Sequence, residues 1–187
     1  MNQFPVHTVE SAPAAAREIL RGLEKGLGRL PNLAAAMAES PGLLRGFFTV
    51  REVYFGGTLG PLEVHTLSLT NAVANDCAWC VAFHTATALQ DGLPSEVVDA
   101  LRGGRTPGDR RLAALSEFSR ALIHRRGAAT AEERQRFFAA GFTPEQALEV
   151  VLGNAFSLMA NYAGHLTGAP LEAALEPFAW RSAAAAA

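Results

Sequence analysis

Proline or a capping side chain opens almost every apolar-periodic stretch of this 187-residue chain, and glycine closes it, while no sustained alternation of β-branched residues appears. That punctuation predicts helices and excludes a sheet. An apolar stripe of Ala15, Ile19, Leu20, Leu23 and Leu27 predicts a first helix over Ala14 to Leu27. Pro31 and Pro41 can each open a helix, since the first helical turn does not need the missing N–H, and these run to Ala38 and about Phe55. After Gly56-Gly57, Pro61 starts a helix to about Ala74, and another begins at Asp76 or Cys77 and ends at Asp91-Gly92. Pro94 to Leu101 follows, then a helix capped by Asp109 that runs to His124 before Gly127. Thr130-x-x-Glu133 and Thr143-x-x-Gln146 are capping boxes, the second opening a long helix to about His165. No composition shift marks a boundary, so the expected fold is all-α, one helical domain over 1–187. Ala183 to Ala187 forms a low-complexity tail with no assigned role.

About half the residues are apolar and 18% are charged, which suits a packed core and excludes general disorder. A net charge of −2 and the short pairs Arg110-Arg111 and Arg125-Arg126 do not make a nucleic-acid surface. Met1 to His7 lacks the pattern of a secretory signal, and no run of about 18 apolar residues spans a bilayer. The expected location is therefore the cytoplasm, where a disulfide is usually transient and catalytic. Only two cysteines are present, three residues apart, and a bridge that short would add little stability. Their use is chemical.

Cys77-Ala78-Trp79-Cys80 falls at a helix start, where unpaired N–H groups and the helix dipole favour the reactive thiolate. The spacing lets one sulfur resolve the other's oxidised state into a disulfide. His84 lies four residues after Cys80, on the same helix face, where an imidazole can take the thiol proton. His65, on the preceding helix, can pass that proton onward or hold the tautomer of His84. Two other readings stand beside this one. Cys77, Cys80, His84 and His65 number four possible zinc ligands, though the spacing within one helix is not that of a zinc knuckle. The cysteines can also be two buried thiols, and Trp79 either a pocket wall or a core residue. His7, His124 and His165 read as structural or solvent-facing. Phe47, Phe48, Tyr54 and Phe55 form a bulky cluster that the core, or an interface, would cover.

Cys77, Cys80 and His84, with Asn75 and the apolar helix before them, resemble the motif of the alkylhydroperoxidase D-like branch of the carboxymuconolactone decarboxylase family. Leu30-Pro31-Asn32, Pro41-Gly42-Leu43-Leu44, Gly92-Leu93-Pro94, Ala140-Gly141-Phe142-Thr143 and Asn161-Tyr162-x-x-His165 extend the resemblance over about Gly26 to Glu176. It implies a hydroperoxide substrate, a dithiol reductant that is a protein or lipoyl-type group, a homo-oligomer (trimer or hexamer), and no cofactor or metal. It further implies that Cys80 attacks the O–O bond, that Cys77 resolves the sulfenic acid, that His84 is the base and that His65 is the outer relay group. Helix-end physics alone would favour Cys77 as the attacking sulfur. One position departs from the family: the glutamate twelve residues before the first cysteine is His65 here, and Glu63, about 200° around the helix, is turned away. A disulfide-exchange or redox-sensing protein and a lactone decarboxylase-like enzyme are the rival readings.

Overall fold

The computed structural model describes residues 3–182, so Ala183–Ala187 lie outside the described residues. Among the described residues, nine α-helices follow a short 3-10 turn at Ala14–Ala16: α1 (Arg17–Leu27), α2 (Asn32–Met37), α3 (Pro41–Phe55), α4 (Pro61–Ala74), α5 (Ala78–Gln90), α6 (Ser95–Arg102), α7 (Arg110–His124), α8 (Ala131–Ala139) and α9 (Pro144–Thr167). A second 3-10 segment, Ala173–Phe178, was not expected from the sequence. No strand occurs among the described residues, and no described helix is long and apolar enough to cross a membrane.

The caps work as their residue types dictate. Ser40, Asp109, Thr130 and Thr143 each accept a hydrogen bond from a first-turn N–H. Glu133 and Gln146 reach back to the capping residue's own N–H, which completes both boxes. Gly168, at φ 58°, closes α9.

The centre of the molecule is α4, which packs against α5, α6, α7 and α9 and is buried continuously from Val64 to Ala72. A helix enclosed on all sides must satisfy its own polar groups. Thr70 donates to Ser116 at 3.0 Å, and Ser119 donates to the Asn71 carbonyl at 2.6 Å. The Asn71 amide in turn donates to Asn154 and Ser157 at 3.0 and 3.1 Å. These bonds fix the rotation of α4, α7 and α9 about their axes more sharply than apolar contact does. One apolar cluster gathers Leu20, Leu33, Leu44, Leu69, Val81 and Leu101 with both cysteines. The other holds Phe137, stacked on Phe118 and Phe142 with centroids 4.3 Å away on each side. Of the aromatic quartet in α3, Tyr54 is buried, Phe47 and Phe48 are half-buried, and Phe55 is exposed.

Gly153 lets α9 approach α3 and α4. A Cβ at that position would lie 2.7 Å from Leu67 Cδ2 and 2.8 Å from Tyr54 Cε2, and both side chains are enclosed. Gly153→Ala is therefore expected to destabilise the fold by about 1–3 kcal/mol through overpacking, although alanine is the better helix former. Thermal unfolding monitored by circular dichroism should show a fall of roughly 2–4 °C for each kcal/mol. An unchanged midpoint would mean that α9 can retreat without cost.

Candidate active site around the cysteine pair

The turn between α4 and α5 delivers the cysteines. Asp76 takes a left-handed conformation, φ 56°, and its N–H bonds to Val73 O at 3.0 Å while Cys77 N–H bonds to Ala72 O at 2.9 Å. These two bonds are a Schellman closure, here with aspartate where glycine is usual. The reversal leaves Cys77 as the N-cap of the next helix, its sulfur accepting the Cys80 N–H at 3.4 Å. Cys77 and Cys80 are paired as a disulfide, with Cα atoms 5.3 Å apart. Both are enclosed, at 2% and 1% exposure, so any thiol exchanging with them needs a local opening.

Three elements cover the pair. Gly164 of α9 abuts Cys77, where a Cβ would stand 3.0 Å from the sulfur. Also from α9, Asn161 accepts a bond from the Asn75 side-chain amide at 2.9 Å, and His165 Nε2 donates to Asn75 O at 2.8 Å. His165 thus satisfies a terminal carbonyl of α4, a structural task that matches the expectation for it. The 3-10 segment lies on α5, and just before it Glu172 accepts from Trp79 Nε1 at 2.8 Å and from Asn32 N at 2.6 Å. Trp79 is half-buried and stacks on Phe83, with centroids 5.2 Å apart and planes at 11°. Arg102 clamps the far end by donating to Thr85 Oγ1 and to the carbonyls of Phe178 and Ala179, while Trp180 Nε1 donates to Arg102 O.

His84 is half-buried, and its pKa is pushed down to about 4, first by desolvation and then by the charge of nearby His65. At neutral pH the ring is uncharged, so one of its nitrogens is a free base. His65 is 9% exposed, and its Nε2 lies 2.8 Å from Asp91 Oδ2. An ionised carboxylate only accepts, so Nε2 is the donor, and Nδ1 is left as the nitrogen able to exchange a proton. Cys80 stands one helical turn before His84 on α5, His84 senses the charge of His65, and His65 is bonded to the carboxylate of Asp91 at the surface. Among the described residues no group of three or more His, Cys, Asp or Glu side chains is arranged to hold a metal ion.

Sequence reasoning placed Cys77, Cys80, His84 and His65 together but missed Asp91 and Glu172. Asp91 was legible only as the end of a helix, and Glu172 sits 93 residues from its tryptophan. Glu63 is turned away, as its helical angle requires. It caps α4 through Gly60 N at 2.7 Å and pairs with Arg111, which lies over the Phe142 ring at 3.9 Å.

Residues 41–118 match the profile of the carboxymuconolactone decarboxylase family. No curated protein matches the chain. The fold is similar to the alkylhydroperoxidase AhpD core of an uncharacterised peroxidase-related protein from Ralstonia eutropha JMP134, at TM-score 0.79 and 21% identity over 92% of this chain and 93% of that one. It is also similar to an uncharacterised peroxidase-related protein from Silicibacter sp. TM1040, at TM-score 0.77 and 18% identity over 92% of each chain. The C82A variant of the debrominase Bmp8 in complex with 2,3,4-tribromopyrrole aligns at TM-score 0.77 and 17% identity over 94% of each chain. The matched stretch runs from the start of α3 into α7 and includes the cysteine pair, and the chain as a whole has the alkylhydroperoxidase D-like fold.

Proposed function

We propose that this protein is a thiol-dependent peroxidase that reduces alkyl hydroperoxides. The observation that carries the reading is a cysteine pair at the start of α5, with an uncharged imidazole one turn beyond Cys80 and a histidine–carboxylate pair behind it. His84 takes the Cys80 proton, and the thiolate attacks one peroxide oxygen. The O–O bond breaks, Cys80 becomes a sulfenic acid and the alkoxide leaves as alcohol with a proton from the relay. The Cys77 thiol then displaces water to form the disulfide. A dithiol donor, protein or lipoyl-type, returns both electrons through a mixed disulfide. His65 relays protons and Asp91 orients it. A reducing cytoplasm and a homo-oligomer, trimer or hexamer, belong to this reading.

The test is stopped-flow mixing of the reduced protein with cumene hydroperoxide, with free thiols counted before and after. Rapid loss of two thiols and release of one cumyl alcohol are expected. Loss no faster than in a denatured control sinks the peroxidase reading, and leaves a disulfide-exchange or redox-sensing protein. Lactone decarboxylase-like activity would have to survive removal of both cysteines.

One feature favours a second electron acceptor. The flat Trp79–Phe83 stack beside the cysteines suits an aromatic substrate, and two thiols can reduce an aryl bromide to arene and bromide with formation of the same disulfide. Tribromopyrrole in the same thiol assay, with bromide measured, decides this reading.

A further inference from the structure

Both sulfurs are enclosed, yet a dithiol can reduce the pair only if its thiolate reaches one of them in line with the S–S bond. Something beside the pair must therefore move. The neighbouring elements differ in how firmly they are held. In α9 nine residues are buried, and in α2 five of the six. In the segment 172–180 only Leu175 is buried. Its other attachments are polar and few. Glu172 accepts from Trp79 Nε1 at 2.8 Å and from Asn32 N at 2.6 Å. Arg102 donates to the carbonyls of Phe178 and Ala179, each at 3.0 Å, and Trp180 Nε1 donates to Arg102 O at 2.9 Å.

Each of these bonds depends on a side chain. Among the described residues no backbone-to-backbone hydrogen bond joins 169–180 to another element; the segment's own are Leu175 N to Glu172 O and Ala179 N to Glu176 O. A 3-10 segment held in this way lies at the low-stability end of a fold, where a part opens while the rest stays folded.

We propose that the segment 172–180 is a gate over the cysteine pair, and that Glu172 and Arg102 are the residues whose bonds set how often it opens. The segment packs on α5, and the Trp79 it holds lies between the two cysteines in sequence. Opening removes the acceptor of Trp79 and frees an indole that packs against the cluster containing both sulfurs. An entering thiolate then attacks one cysteine sulfur, the S–S bond breaks and the other cysteine leaves as thiolate. The donor's second thiol resolves the mixed disulfide, so the donor is oxidised to its own disulfide and two protein thiols result. The gate serves any thiol partner and does not depend on which oxidant made the disulfide. Both tryptophans of the chain donate at the gate, Trp79 to Glu172 and Trp180 to Arg102, so opening has an optical signature.

Reduction of the oxidised full chain by excess dithiothreitol, quenched in acid with the thiols then counted, tests the gate. Glu172→Ala removes both bonds of the carboxylate, and Arg102→Ala removes those to Phe178 and Ala179. Each is expected to speed reduction about tenfold, with more acrylamide quenching of tryptophan fluorescence and the helical circular dichroism of the wild type. Glu172→Gln, which keeps one acceptor oxygen, and Arg102→Lys, which keeps a donor, should each fall between the wild type and the corresponding alanine variant. Gly153→Ala separates local from global opening. It weakens the whole fold but touches no gate bond, so well below its unfolding midpoint it should be reduced at the wild-type rate. Wild-type rates for both alanine variants, or equal acceleration by Gly153→Ala, overturn the proposal. If one alanine variant does not fold, the other and the two conservative changes carry the same comparison.

Discussion

Cys80→Ser is expected to reduce peroxide-driven thiol loss to the rate of a denatured control, whereas Cys77→Ser should keep the first step and lose the second. In the Cys77→Ser protein one thiol disappears at close to the wild-type rate, and a sulfenic acid accumulates that dimedone can trap. No turnover with dithiol follows, because no resolving sulfur remains. The asymmetry comes from reach. His84 lies four residues from Cys80, one turn along the same face, but seven residues from Cys77, two turns away. The helix dipole favours the N-cap sulfur, and the Cys80 N–H donated to Cys77 adds to that preference. A base within one turn is worth about 10²–10⁴-fold, more than the ~0.3–1 kcal/mol of a helix-end charge interaction. If instead Cys77→Ser loses the first step and Cys80→Ser retains it, the two roles are exchanged.

The parts of this molecule legible in its sequence are those set by local rules. Pro41–Phe55 and Pro61–Ala74 match expectation at both ends because proline and glycine act within one turn. The rotation of Glu63 away from the cysteines follows from 100° per residue alone, and Arg111 occupies it in the structure. The 3-10 segment over α5 escaped because six residues containing Pro177 carry no helical period. Asp91 escaped for a different reason. Its partner His65 is 26 residues away, and only the packing of α4 on α5 brings the two together. The face of α9 was equally hidden. A helix apolar on most sides does not announce which side its neighbours will cover, and only the polar contacts of Asn154, Ser157 and Asn161 decide it.

His84→Gln should slow thiol oxidation by about 10²-fold or more, since amide cannot take the Cys80 proton. His65→Ala and Asp91→Asn should cost less, because they act through His84 and water can substitute in part. The pH dependence separates these roles. With its pKa pushed down to about 4, the His84 imidazole is uncharged through the neutral range and loses its basic nitrogen only in acid. A folded pKa below the ordinary value near 6.5 means that the unfolded chain binds more protons between about pH 6.5 and pH 4. The stability this contributes is therefore complete above about pH 6.5 and declines as the pH falls toward 4. Its size is at most about 3 kcal/mol, reduced by the part of the ring that stays in contact with water. His84→Gln, which has nothing to titrate, should flatten that stretch of the stability curve in urea titrations from pH 7 to pH 4, whereas Asp91→Asn should leave its His84 component in place. A variant that slows oxidation but keeps the acid slope would assign His84 to catalysis without the burial that makes it a neutral base. Loss of both together is what a desolvated imidazole beside Cys80 requires.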